Sequence, residues 1–160
     1  TIQLKKNTKI NKNGQDQLKI QNLLAKLPFL LRQFIRLAGE DALSYEGVTR
    51  AYRIPKTEPN RPAAIQEALK KACDLPLQTL HAIVETVNAL IPERALIGES
   101  LVSDFKVGVC CLTAANLGSK ENVLINLQLI GDEAYRNKVI AQMEALEVSM
   151  RAAMGDKILP

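Results

Sequence analysis

Asp41 stands in line with Leu30, Phe34, Leu37, Tyr45, Val48 and Tyr52. The steps between these residues run 4, 3, 4, 4, 3, 4 and trace one face of an α-helix. A carboxylate inside an apolar stripe loses hydration, so it must be paired, protonated or placed at a cavity. At a cavity it could act as a general acid or base. Paired with an Arg or Lys of another helix, it would be structural. Spacing alone leaves both readings open. Glu40 sits about 100° round the helix from Asp41, so the two do not form a carboxylate dyad.

Ser103-Asp104 is a second candidate. An Asp after a Ser at the head of an apolar helix is explained by capping (Ser103 or Ser100) and by a first-turn acid complementing the helix dipole. It also fits a site acid with a neighbouring hydroxyl. Asn122 and Asn126 are four apart and share a helical face. Asn is a poor residue for a helix interior, so the pair calls for a polar partner, a ligand, or plain exposure. Lys56 and Arg61 flank the loop after the first long pattern, where they could meet an anion or be solvated charges. His81, the only histidine, lies on an Ala/Leu/Ile/Val-rich segment and is expected to be structural. Cys73, Cys110 and Cys111 show no C-x-x-C or Cys/His metal spacing, so no metal site is expected and the thiols act as small apolar residues.

These residues need elements to hold them. KKNTKINKNGQD, 5–16, carries no periodicity and is expected to be a loop. Apolar residues then recur at 20, 23, 24 and 27, and Pro28 either starts a new helix or kinks one. The helical pattern from Phe29 ends near Arg53 ahead of Pro55. After TEPNRP, with Asn60 a possible cap, a helix carries Ala64, Ala68, Leu69 and Ala72. At D-L-P, 74–76, Asp74 caps a new segment or Pro76 bends a continuous one. Leu77, Leu80, Val84, Val87 and Ile91 continue the stripe until Pro92. Phe105, Val109, Leu112 and Asn116 share the next face, with Gly108 costing up to ~1 kcal/mol against Ala unless a neighbouring backbone needs the room. LGSKEN, 117–122, looks like a break or bend. The last helix covers Ala134 to Met154. No segment has strand character.

The sum is one all-α domain spanning 1–160, a bundle of five or six helices. Its apolar stripes are wide enough that a homodimer is expected. Composition agrees: 160 residues, 47% hydrophobic but only 4% aromatic, without Trp. Of the net charge of +4, residues 1–26 hold six Lys and one Asp, a local +5, leaving about −1 for the rest. Such a start suits a nucleic-acid arm or a solvated loop, and the lack of an Arg cluster or interleaved aromatics argues against nucleic acid. No signal peptide and no apolar run of about 20 residues is evident, so a soluble, cytoplasmic chain without a membrane partner is expected. There is no P-loop, G-x-G-x-x-G, G-x-S-x-G or H-E-x-x-H, which argues against nucleotide-driven, serine-hydrolase and zinc chemistry.

The order of the pieces carries a resemblance. D-A-x-x-Y-x-x-V-x-x-A-Y-R-I-P-K at 41–56 precedes A-I-Q-E-A-L-K-K-A-C-D-L-P-L at 64–77. V-S-D at 102–104, N-V-L-I-N-L at 122–127 and D-E-A-Y at 132–135 follow. From about Gln17 to Ala153 this resembles the formiminotetrahydrofolate cyclodeaminase and methenyltetrahydrofolate cyclohydrolase family. The resemblance implies an all-helical, usually dimeric enzyme acting on a one-carbon-substituted tetrahydrofolate as substrate, with no tightly bound cofactor. It makes Asp41 and Asp104 the catalytic candidates, with Lys56, Ser103, Asn126 and Tyr45 as substrate contacts. Family members also carry a P-x-P-G-G-G-S-type segment in the folate site, ahead of the part matched here, and these 160 residues contain no such stretch. A non-catalytic helical dimer keeping the family fold as a binding module is the alternative.

Overall fold

The computed structural model describes residues 14–155. Four α-helices account for almost all of them: α1 Gly14–Arg53, α2 Arg61–Leu90, α3 Val102–Leu127 and α4 Glu133–Met154. Two short 3₁₀ turns, Ile91–Leu96 and Glu99–Leu101, link α2 to α3. The all-α, bundle-like expectation holds, with four helices instead of five or six. Of the expected loop over 5–16, residues 14–16 already belong to α1, and the rest lies outside the described residues.

At Pro28 and Pro76 the alternative of a continuous helix is the one found, and the break or bend expected over 117–122 is spanned. Pro28 lies inside α1 and Pro76 inside α2, while Leu117-Gly118-Ser119 runs through the middle of α3. A proline removes one i→i−4 donor and crowds the preceding turn. At Pro76 the orphaned acceptor is the carbonyl of Ala72, and Asn126 Nδ2 on α3 donates to it at 3.3 Å. A neighbouring helix thus repairs the lost bond, and α2 continues for 30 residues. Asp74 therefore caps nothing.

α2 is the central element and packs on each of the other three helices. It buries twelve residues, from Ile65 to Val87. Two apolar clusters hang on it. Ala51, Leu69, Cys73, Leu77, Val123, Leu127, Val139 and Met143 belong to one; Ile83, Val87, Ile91, Val109 and Met150 belong to the other. α1 meets α2 along a narrower seam in which Leu30, Leu37 and Ala51 are buried, spaced by multiples of seven as in a coiled-coil contact.

The caps differ from expectation. Asn60 precedes α2 without a side-chain cap bond. α3 grows straight out of the preceding 3₁₀ turn, with Leu101 at its N-cap, so neither Ser100 nor Ser103 caps it. Asp132 does cap α4, its Oδ1 accepting from the Tyr135 N–H at 3.0 Å. Gly155, with φ 58°, ends α4 in the left-handed region that favours glycine.

Joined to its 3₁₀ turn, the stretch Glu99–Leu127 is long and apolar enough to cross a membrane by length and composition. Only 6% of its most apolar window is buried. Gly108 and Gly118 lie in this helix, and a Cβ added to either would meet nothing within 4 Å. No backbone within the described chain uses the room they leave.

Candidate functional site

A hollow of about 340 Å³ lies where the first half of α1 faces the α2–α3 link and the head of α3. Ile20, Leu23, Leu24 and Leu27 form the α1 wall, and Leu90, Leu96, Ile97, Leu101 and Phe105 the opposite one. Two carboxylates, Glu93 and Asp104, complete the lining. Glu93 is placed by the Ile91–Leu96 turn and pairs with Lys19 at 3.8 Å. Pro28 also leaves the Leu24 carbonyl without its helical donor, and Leu24 is part of the wall. A flat, largely apolar ligand would meet an apolar slot with two acids at its edge, the composition expected of a small-molecule site.

Of the expected residues, the hollow contains Asp104 alone. Ser103, beside it in the first turn of α3, is exposed. Asp41 lies 14 residues beyond Leu27 on α1, about 21 Å further along the axis. It is exposed and makes no ion pair among the described residues, so the alternative of a pairing with an Arg or Lys of another helix is not seen there. It continues the seam row Leu27, Phe34, Asp41, Val48, of which it is the only fully exposed member. Tyr45, at 74% exposed, stands one turn beyond. Lys56 lies exposed in the α1–α2 loop. Its neighbour Arg61 is spent on the helix end, donating through Nε to the Ile54 carbonyl at 2.9 Å. Asn126 directs its amide nitrogen to the carbonyls of Ala72 and, at 2.9 Å, Asn122. His81 is exposed.

Glu93 was missed by spacing because it follows the end of the α2 periodicity; its signal was an acid directly after Ile91-Pro92. A second polar cluster was visible only as a motif. Lys70 Nζ lies 2.6 Å from Asp132 Oδ2 and stacks over the Tyr135 ring at 5.3 Å. The Tyr135 hydroxyl donates to Asp74 Oδ1 at 2.7 Å. Burial, then the bond to Asp74, pushes the Tyr135 phenol well above its usual range. Burial also pushes the Cys73 thiol up, while the Lys70 hydrogen bond holds Asp132 low. With every member engaged, this cluster ties the head of α4 to α2. Among the described residues no group of three or more His, Cys, Asp or Glu side chains could hold a metal ion.

Comparison with known proteins decides the family. The family model described as Formiminotransferase-cyclodeaminase matches residues 1–145. The chain belongs to this family. Pig formimidoyltransferase-cyclodeaminase is 35% identical over 128 residues, covering 74% of this chain and 23% of that protein. The chain thus spans about a quarter of the length of that relative. The methenyltetrahydrofolate cyclohydrolase of Methylorubrum extorquens is 26% identical over 145 residues, covering 87% of this chain and 68% of its own. Among solved structures, the formiminotetrahydrofolate cyclodeaminase of Thermotoga maritima superposes with a TM-score of 0.82 at 21% identity. The match covers 94% of this chain and 73% of that one. At that identity the likeness concerns the fold.

Proposed function

We propose that this chain is the catalytic helical unit of a folate one-carbon enzyme. It either cyclodeaminates 5-formiminotetrahydrofolate or hydrolyses 5,10-methenyltetrahydrofolate. The observation that carries the reading is Asp104, in the family's V-S-D position, at the edge of an apolar hollow large enough for a bicyclic ring. Both reactions pass through a tetrahedral carbon between two nitrogens. In deamination N10 attacks the formimino carbon and ammonia leaves. In hydrolysis water attacks the methenyl carbon and a C–N bond opens. Each needs a proton delivered to the departing nitrogen and one removed from the attacking group.

In this reading Asp104 moves the proton, Glu93 holds or relays one across the slot, and the leucines of α1 exclude water from the ring. The functional unit is a homodimer, and Asp41, Tyr45 and Lys56 serve where a further wall covers α1. The substrate supplies the reacting groups without a tightly bound cofactor.

The test is the methenyltetrahydrofolate absorbance, followed with the hydrolysis substrate and with 5-formiminotetrahydrofolate. Asp104→Asn should lower kcat at least 100-fold, in the ~10²–10⁴ range of a lost acid–base group. Turnover unchanged in that variant refutes the assignment. A second reading, a non-catalytic binding module of the same fold, is favoured by one observation: Asp41 and Asp104 lie far apart in this chain. Folate binding without turnover would support it.

A further inference from the structure

α3 and α4 both lie against α2 but hardly touch one another. The room left between them is a groove of about 290 Å³. Leu80 of α2 lines its floor and Leu117 belongs to the α3 wall. The α4 wall is Met143, Leu146, Met150 and Met154, spaced three and four apart and so on one helical face. The chain has three methionines, and all of them are in this wall. Methionine is unbranched and polarizable, so such a wall reshapes round an apolar guest more readily than one of branched side chains.

The rim of the groove is charged. Lys120 Nζ lies 2.9 Å from Glu147 Oε2, and Arg151 Nη2 bonds the other oxygen of the same carboxylate. Lys120 and then Arg151 hold the Glu147 carboxyl below its ordinary range, so it is ionised at neutral pH. Two cations thus share one anion. An ammonium offers three donors and a guanidinium five, more than one carboxylate can accept. Asn116, half-buried on the α3 wall, adds a neutral amide.

We propose that this groove binds a small apolar monocarboxylate, its body against the methionines and its carboxylate between Lys120 and Arg151. Charge complementarity selects this guest. A neutral apolar molecule leaves the surplus positive charge unanswered, and a cation adds to it. Glu147 competes with the guest for the same two cations, so it tempers the affinity. The groove shares no lining residue with the hollow at Asp104, and the assignment does not rest on the folate reading.

Octanoate is the probe, with octan-1-ol as its uncharged counterpart. Because every methionine lines the groove, the ¹³C-labelled Met methyl signals report binding there and not at the hollow. Titration of the full chain with octanoate should shift these signals saturably, and octan-1-ol should bind about tenfold more weakly or worse. Lys120→Gln/Arg151→Gln should weaken octanoate by about tenfold with unchanged helical circular dichroism. Glu147→Gln removes the competitor and should tighten octanoate by about fivefold. A misfolded variant can lose binding but does not gain it, so this last measurement stands whatever the double variant does. Met signals that do not move overturn the proposal. So does an alcohol that binds as tightly as the acid, or a Glu147→Gln chain that binds octanoate no better than the parent. Displacement of octanoate by 5,10-methenyltetrahydrofolate also overturns it, since the groove would then belong to the folate site.

Discussion

Asn126→Ala separates a structural amide from a ligand-binding one. The Ala72 carbonyl lies within a residue only 7% exposed, and Pro76 denies it the usual helical donor. Leaving such a group unsatisfied costs about 1–3 kcal/mol. The 3.3 Å length of the Asn126 bond places this case toward the lower end, about 1–2 kcal/mol. Alanine is the better helix former by about 0.5 kcal/mol, which partly masks the loss in a single variant. A double-mutant cycle removes the mask. In a Pro76→Ala background the residue-76 N–H can donate to Ala72, and the Asn126 amide becomes redundant. Urea unfolding followed at 222 nm should show Asn126→Ala lowering the midpoint by about 0.2–1.5 M in the parent chain, for a net loss of about 0.5–1.5 kcal/mol and a slope of about 1–3 kcal/mol per M. In the Pro76→Ala background the midpoint should stay put or rise, with a coupling of at least about 0.5 kcal/mol. Equal losses in both backgrounds would refute the repair argument. A substrate contact instead predicts unchanged stability and a raised KM.

The cluster at the head of α4 supports two more measurements. Asp132 is held below its ordinary value of 3.8 by Lys70 and the Tyr135 N–H, so its contribution is complete above pH ~4 and is lost as pH falls through the lower folded value. Thermal midpoints between pH 2 and 6 should therefore fall less steeply in Asp132→Asn. Tyr135 is shifted the other way, so its contribution is intact below pH ~10 and wanes above it. Tyr135→Phe should cost about 1–3 kcal/mol at neutral pH and flatten the alkaline loss, as read by denaturation at pH 7 and 11. At the hollow, Glu93→Gln should raise KM or lower kcat for the folate substrate while leaving the unfolding midpoint within about 0.5 kcal/mol of the parent. An unchanged pair of kinetic constants would remove Glu93 from the site.

The class of fold was legible because Leu, Ala, Lys and Glu at helical spacing leave few other ways to bury an apolar face. The helix count was not, because a proline signals a lost donor but says nothing of who replaces it. At Pro76 the replacement comes from Asn126, fifty residues away and on another helix, and only the packing of α3 on α2 brings it there. Asp41 shows the same limit from the other side. Periodicity placed it in line with Leu30, Phe34, Leu37 and Val48, and of these Leu30 and Leu37 are buried and Phe34 and Val48 half-buried while Asp41 is exposed. Whether a residue on a seam is buried depends on the element opposite, and along this part of α1 nothing in the described chain covers it. Asp104 was legible by motif and by its place in the first turn of α3. Its apolar surroundings were not, since five of the residues forming them lie between Leu90 and Phe105, where 3₁₀ turns replace the helical period. The acid of the V-S-D motif thus draws its setting from the least periodic segment of the described chain. Substitutions at Leu96 or Ile97 should therefore disturb the hollow with little effect on the two apolar clusters that hold the fold.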